Sequence, residues 1–119
     1  MDVNKIADFI LKYSPYKNKE LIKQYILLHL QYKTCFVVYD DDHKICAVSR
    51  WNISEDNKTA CILDLMIRED YRNKEMIQRM LLQGLQMYPW IKFLKFERET
   101  KYPEREPKVY SVDKILKRR

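Results

Sequence analysis

The sequence predicts an α/β (α+β) fold, a mixed and mostly antiparallel sheet flanked by helices. Three patterns in the 119-residue chain predict it. Two segments of helical period come first. Strand-like runs joined by polar turns follow, and hairpins in succession give an antiparallel meander. Last comes a strand, a helix and another strand, a unit whose right-handed crossover leaves its two strands parallel.

Along the chain, Ile6, Phe9, Ile10 and Tyr13 share one face of a first short helix. Ser14-Pro15 ends it, because the residue before a proline is driven out of the helical region. Asn18 can cap a second helix, whose broad apolar face of Leu21, Ile22, Tyr25, Ile26, Leu28 and His29 runs up to Gln31. His29 sits on a helix flank and reads as a partly exposed packing residue rather than a ligand or base. Residues 34–39 are rich in β-branched and aromatic side chains and read as a strand. The aspartates of the turn at 40–44 lack the spacing, glycine and closing glutamate of a calcium loop, so the turn reads as solvated. Residues 45–52 make the second strand, 54–58 a turn, and Thr59–Ile67 the third strand. A helix is expected from Met76 to Tyr88 on the apolar spacing of Met76, Ile77, Met80, Leu81 and Leu85. A strand at 92–98 follows, then a charged, proline-broken loop at 100–107. Residues 108–112 make a final short strand pairing back on Phe93 to Phe96, and 113–117 a terminal helical turn.

Composition narrows the function classes. At 46% hydrophobic residues the chain builds one moderate core, so residues 1–119 are expected to form one domain. No apolar run is long enough to cross a membrane, and the amino terminus lacks a signal-peptide layout, so the expected location is cytoplasmic. Cys35, Cys46 and Cys61 are odd in number and set among apolar residues, which reads as buried free thiols and no metal site. The net charge of +6 is spread over a chain with 34% charged residues, which reads as a mixed, solvated surface. The densest basic cluster, Lys114, Lys117, Arg118 and Arg119, reads as a solubilising terminus. Gly84 is the one glycine in the sequence, and that excludes glycine-rich phosphate loops of the Walker or dinucleotide-binding kind. Trp51 and Trp90 flank strand ends and read as packing anchors.

The joint between the third strand and its helix carries the most specific pattern. Ile62, Leu63, Leu65, Met66 and Ile67 form a nearly continuous apolar run, residues 68–75 are polar, and a helix follows. The free N–H groups of such a helix start suit an anion such as a pyrophosphate. The heptapeptide Tyr71-Arg72-Asn73-Lys74-Glu75-Met76-Ile77 resembles motif A of the GCN5-related N-acetyltransferase (GNAT) superfamily, a strand leading into a loop written Arg/Gln-x-x-Gly-x-Gly/Ala. The order of elements over residues 18–97 is similar as well. The resemblance implies a V-shaped opening between the two central parallel strands and acetyl-CoA as cofactor. The backbone of Leu65, Met66 and Ile67 would pair with the pantetheine arm and polarise the thioester. Arg72 would lead the loop, and the amides of Asn73, Lys74, Glu75, Met76 and Ile77 would cradle the pyrophosphate. Glu75 and Ile77 stand where that family has its glycines, and glycine is what permits close approach of backbone to phosphate.

Two residues are candidates for proton transfer. Asp64 is a carboxylate among apolar strand neighbours, and it reads either as a base of raised pKa or as the partner of a neighbouring-strand cation such as Arg50. The resemblance also implies a tyrosine that protonates the leaving thiolate. Past Glu97 only Tyr102 and Tyr110 are available, and Tyr110 is the candidate, with core packing as the alternative. Three functional readings follow: an N-acetyltransferase acting on an amine, a catalytically inactive binding or assembly module of the same fold with a protein partner, and a nucleic-acid binder using Lys92, Lys95 and Arg98. The compact, glycine-poor form also resembles small acetyltransferase-like proteins of tailed phages, which implies an infected cell or a virion as an alternative location.

Overall fold

The computed structural model describes residues 2–97 and 109–117. Helix α1 (Val3–Tyr13) starts at Asp2, whose carboxylate accepts from the amides of Asn4 and Lys5, and stops at Ser14. Helix α2 (Lys19–Gln31) is capped by the Asn18 side chain, which accepts from the Leu21 amide. Strands β1 (Cys35–Tyr39), β2 (Ile45–Ser54) and β3 (Thr59–Ile67) form the meander, and a 3-10 turn at Glu69–Tyr71 leads to helix α3 (Lys74–Met87). Strand β4 (Phe93–Phe96), the short strand β5 (Tyr110–Ser111) and helix α4 (Val112–Lys117) complete the order. The sheet runs β1-β2-β3-β4-β5, with β3 and β4 parallel and the other neighbours antiparallel. Strand β5 pairs with β4 through Phe93 and Leu94, as the sequence predicts for the last strand.

Helices α1 and α2 cover one face of the sheet, packing Ile6, Phe9, Ile10, Ile22 and Ile26 on Cys35, Val48 and Met66. Helix α3 covers the other, with Leu81 and Leu85 against Trp51, Ile62 and Leu94, and Met76 and Met80 against Val38, Ala47 and Ile67. Gly84 allows this close seating: a Cβ there would land inside the Trp51 ring, 2.5 Å from Cζ2 and Cζ3. The indole N–H of Trp51 donates to Ser49 Oγ at 3.0 Å, so the buried ring leaves no polar atom unpaired.

A bulge in β3 sets which side chains face which layer. Arg50 pairs with Asp64 and Trp51 with Ile62, so Leu63 has no partner on β2. In an unbroken strand Ile62 and Asp64, two residues apart, would point to the same face. The extra residue sends Ile62 to the α3 side with Trp51, and Asp64 to the α1/α2 side with Arg50. There the Arg50 guanidinium bonds the Asp64 carboxylate through both Nε and Nη2, with the two side chains only 9% and 10% exposed. The Tyr16 and Tyr25 rings lie 5.8 and 5.6 Å from the guanidinium carbon and shield it.

The structure corrects several boundaries and one face. The broad apolar face expected on α2 is divided: Ile22 and Ile26 are buried, whereas Leu21, Tyr25 and Leu28 are exposed. Helix α3 begins two residues earlier than its apolar spacing indicates, because Asn73 caps it through the Met76 amide. The aspartate turn is tied down as well: Asp40 accepts from the amides of Asp42 and Lys44 and pairs with Arg68 at the end of β3. Cys35 and Cys46 are buried free thiols and Cys61 is half-buried, with burial pushing the Cys35 thiol up to about 11. Arg98, the loop at 100–107, Tyr102, Lys108, Arg118 and Arg119 lie outside the described residues. Among the described residues no helix is long and apolar enough to cross a membrane.

Two outcomes follow from this packing. Gly84→Ala should lower the denaturation midpoint, because overpacking against a buried ring costs about 1–3 kcal/mol and alanine returns only about 1 kcal/mol of helix propensity. The loss should shrink in a Trp51→Phe background, and an unchanged or raised midpoint in the single variant would show that the helix does not sit on Trp51. Arg50→Met should cost about 3–5 kcal/mol by stranding a buried carboxylate, while Arg50→Met with Asp64→Leu should recover most of it. Equal losses in a urea titration of the two variants would mean that the pair is not desolvated.

Candidate functional site

The expected V-shaped opening is present. Strand β4 pairs with β3 only from Thr59↔Phe93 to Ile62↔Phe96, while β3 continues to Ile67. Beyond Ile62 the described residues supply no strand along that side of β3, and a cleft of about 460 Å³ opens there. One wall is Ile62 to Met66 of β3, and the other is Phe96 and Glu97 past the end of β4. The connection between α1 and α2, Tyr13 to Tyr16, crosses one side, and Ile77 of α3 reaches in from the other end.

Of the two proton-transfer candidates, one lies in this cleft. Asp64 lines it, and its carboxylate is held both by Arg50 and by the Tyr16 hydroxyl, which donates to Oδ1 at 3.3 Å. The pairing with Arg50 is thus realised. Burial, and then the charge of Asp64, pushes the Tyr16 hydroxyl above its ordinary range. Tyr110 is not among the residues lining the cleft. It sits on β5 with its ring edge-on to Phe96 at 5.5 Å, among the side chains packed under α3 and α4. His29 bonds Thr34 Oγ1 through Nδ1 at 2.8 Å, and burial followed by the Arg50 charge lowers its pKa, so it packs as a neutral ring near neutral pH.

The nine cofactor-binding candidates divide by position. Leu65, Met66 and Ile77 line the cleft. Ile67 is buried against α3, and its carbonyl accepts from Arg72 Nε at 2.9 Å. That bond turns Arg72 back towards the strand end, its guanidinium carbon 5.9 Å from the Tyr13 ring. Tyr13 in turn donates to Glu69 Oε2 at 2.9 Å, which ties α1 to the turn after β3. Asn73 caps α3 and so occupies the Met76 N–H, leaving the Lys74 and Glu75 amides as first-turn donors. Met76 is buried in the core, and Glu75 turns away from the cleft to join Gln78 and Arg79 on the outer side of α3.

These residues fit an extended amide-bearing arm better than they fit a diphosphate. An arm laid along β3 would meet backbone groups that β4 leaves unpaired, as an added strand does. At the α3 end one amide of the first turn is already satisfied by Asn73, and the Ile77 side chain stands in the cleft where a second glycine would leave space. Sequence reasoning missed the Tyr13–Tyr16 connection, whose tyrosines flank the helix stop Ser14-Pro15, and it missed Glu97 at the cleft mouth. The tyrosine pair around a proline was the available signal.

No family model and no curated protein matches the sequence. Solved structures do match the fold. The diaminobutyrate acetyltransferase EctA from Paenibacillus lautus, solved with L-2,4-diaminobutyric acid and coenzyme A, superposes with a TM-score of 0.61 at 13% identity, over 80% of this chain and 58% of that one. The spermidine N-acetyltransferase from Vibrio cholerae in complex with CoA and spermine gives 0.57 at 15% identity, over 80% and 64%. The GphF GNAT-like decarboxylase with isobutyryl-CoA gives 0.59 at 10% identity, over 80% and 60%. The chain spans less than two thirds of the length of each of these three. At such identities the likeness shows the fold alone: this chain's five-stranded mixed sheet, with one parallel pair and helices on both faces, is a GNAT-like fold.

Proposed function

We propose that the cleft between β3 and β4 binds a CoA-type acyl thioester, and that the chain is an acetyl-CoA-dependent N-acetyltransferase-like protein acting on an amine. The observation that carries this reading is the edge of β3 beyond Ile62, left unpaired among the described residues and facing a cleft of about 460 Å³ with the start of α3 at its end. When bound, the acetyl thioester would supply the activated acyl group. The chain's own part is to hold and orient. The backbone of Leu65 and Met66 would pair with the arm, and Arg72, fixed by the Ile67 carbonyl, would present its remaining N–H groups to the phosphates. Asp64, pinned by Arg50 and hydrogen-bonded to Tyr16, sets a polar, tyrosine-lined wall where the acceptor's nitrogen would lie. The amines bound in the matched structures, spermine and L-2,4-diaminobutyric acid, support an amine as the substrate class here.

A second reading has its own support. Ile77 in the cleft and Glu75 in the first turn of α3 favour a catalytically inactive binding or assembly module of the same fold.

Thermal unfolding with CoA and acetyl-CoA tests the first reading. Ligand at a hundredfold excess over Kd adds about 2.7 kcal/mol, which for a domain of this size raises Tm by roughly 10 °C. Arg72→Ala should weaken binding by about 1.5–3 kcal/mol, and unchanged affinity would remove Arg72 from the site. No shift with either ligand, and no thiol release with polyamine or diamine acceptors, would sink the enzyme reading.

The two readings separate at Glu75 and Ile77. A cleft that holds CoA should hold it more tightly after Glu75→Gly with Ile77→Gly, once the roughly 1 kcal/mol per glycine lost in helix stability is allowed for by working well below Tm. An inactive module should show no CoA binding by calorimetry in either protein.

A further inference from the structure

The side chains that line the cleft are one-sided in their hydrogen bonding. Among the described residues they include no Lys, Arg, His, Asn, Gln or Trp, and their polar members are three hydroxyls and two carboxylates. Each hydroxyl has its proton committed: Tyr13 donates to Glu69 Oε2, Ser14 to the Ile10 carbonyl, and Tyr16 to Asp64 Oδ1. What these groups still offer a ligand is lone pairs. Tyr16 and Asp64 present theirs side by side, because Arg50 holds the other carboxylate oxygen and fixes Oδ1 beside the tyrosine. The Tyr16 ring lies against the same guanidinium, and burial followed by the Asp64 charge keeps its hydroxyl protonated near neutral pH. Glu97 stands on the facing wall, and its charge acts on Tyr16 in the same sense.

We infer that Tyr16 is the residue that selects the acceptor, its oxygen and Asp64 Oδ1 each taking one N–H of a primary ammonium group. The inference deepens the acyltransferase reading and rests on it for the fate of the bound amine. Two adjacent acceptors are satisfied by a ligand that brings two donors on one atom, and a primary ammonium brings three. An alcohol brings one, and a quaternary ammonium of the same charge brings none, so each leaves an acceptor unpaired on the cleft wall. A carboxylate or a phosphate would set lone pairs against lone pairs, which separates this wall from the Arg72 end of the cleft. The apolar lining of the same cleft, Ile62, Leu65 and Phe96, suits an aliphatic stem behind the nitrogen.

The test is a two-dimensional NMR titration of the full chain at neutral pH with three ligands of one stem: 1-aminobutane, butan-1-ol and butyltrimethylammonium. 1-Aminobutane should shift the backbone signals of Tyr16 and Asp64 saturably, and should bind at least about tenfold more tightly than the other two. Tyr16→Phe keeps the ring over Arg50 and removes the oxygen, so the three ligands should then bind within about threefold of one another. Tyr25→Phe deletes a hydroxyl from the other ring on that guanidinium, outside the cleft, and should leave the preference intact. The comparison on the unmodified chain stands should the Tyr16 variant fold poorly. No saturable shift with 1-aminobutane, equal affinity for the three ligands, or a full preference retained in a folded Tyr16→Phe chain would overturn the proposal. These titrations contain no CoA, so a failure of CoA to bind counts against the acyltransferase reading alone.

Discussion

The close seating of α3 on Trp51 is the constraint on which the rest of the architecture depends. A 14-residue helix behaves as a rigid rod, so fixing Gly84 against the indole fixes Asn73, roughly 16 Å away along the axis, at the end of β3. The chain uses its one glycine here, although glycine weakens a helix interior, because no other residue lets the helix come so near the sheet. The turns do without glycine: Lys33, His43 and Lys58 adopt positive φ values of 57, 59 and 50°. Close packing of helix on sheet has taken precedence over ease of turning.

The cleft results from two departures from a regular sheet. One is the short parallel pairing of β3 with β4, which among the described residues leaves the outer half of β3 unpaired on that side. The other is the bulge at Leu63, which brings Asp64 round to Arg50 and Tyr16. A buried ion pair contributes little net stability against an apolar replacement, yet it penalises every register in which one partner is left alone. Here the pair holds β2 and β3 in the single alignment that puts a carboxylate on the cleft wall.

Much of the fold was legible because periodicity is local. Strand β3 was read to its observed ends, and Asn18 and Ser14-Pro15 marked the borders of the first two helices. The start of α3 was missed because a charged first turn carries no apolar signal, and only the Asn73 cap reveals it. The width of the core-facing stripe on α2 was overestimated, since helical spacing shows that a face is apolar without showing what covers it. The bulge was hidden because Cys61 to Ile67 is apolar at nearly every position, so a change of phase leaves no trace in the pattern. At the site, the frame around Arg72 was readable as a contiguous motif. The Tyr13–Tyr16 wall was not, because it comes from a segment distant in sequence that only the folded sheet brings alongside Asp64.

The bulge at Leu63 also bears on how this strand can change over evolutionary time. Point substitutions along β3 are constrained one at a time, by the volume available at each site. Loss of a residue elsewhere in β3 would shift the register on one side of it and exchange the layers that its side chains face. Leu63 is the exception: without it Ile62 and Asp64 become neighbours in a regular ladder, still opposite Trp51 and Arg50 and still on opposite faces of the sheet. The strand therefore carries one position that can be gained or lost without exchanging the two layers, independently of which apolar residue occupies position 63.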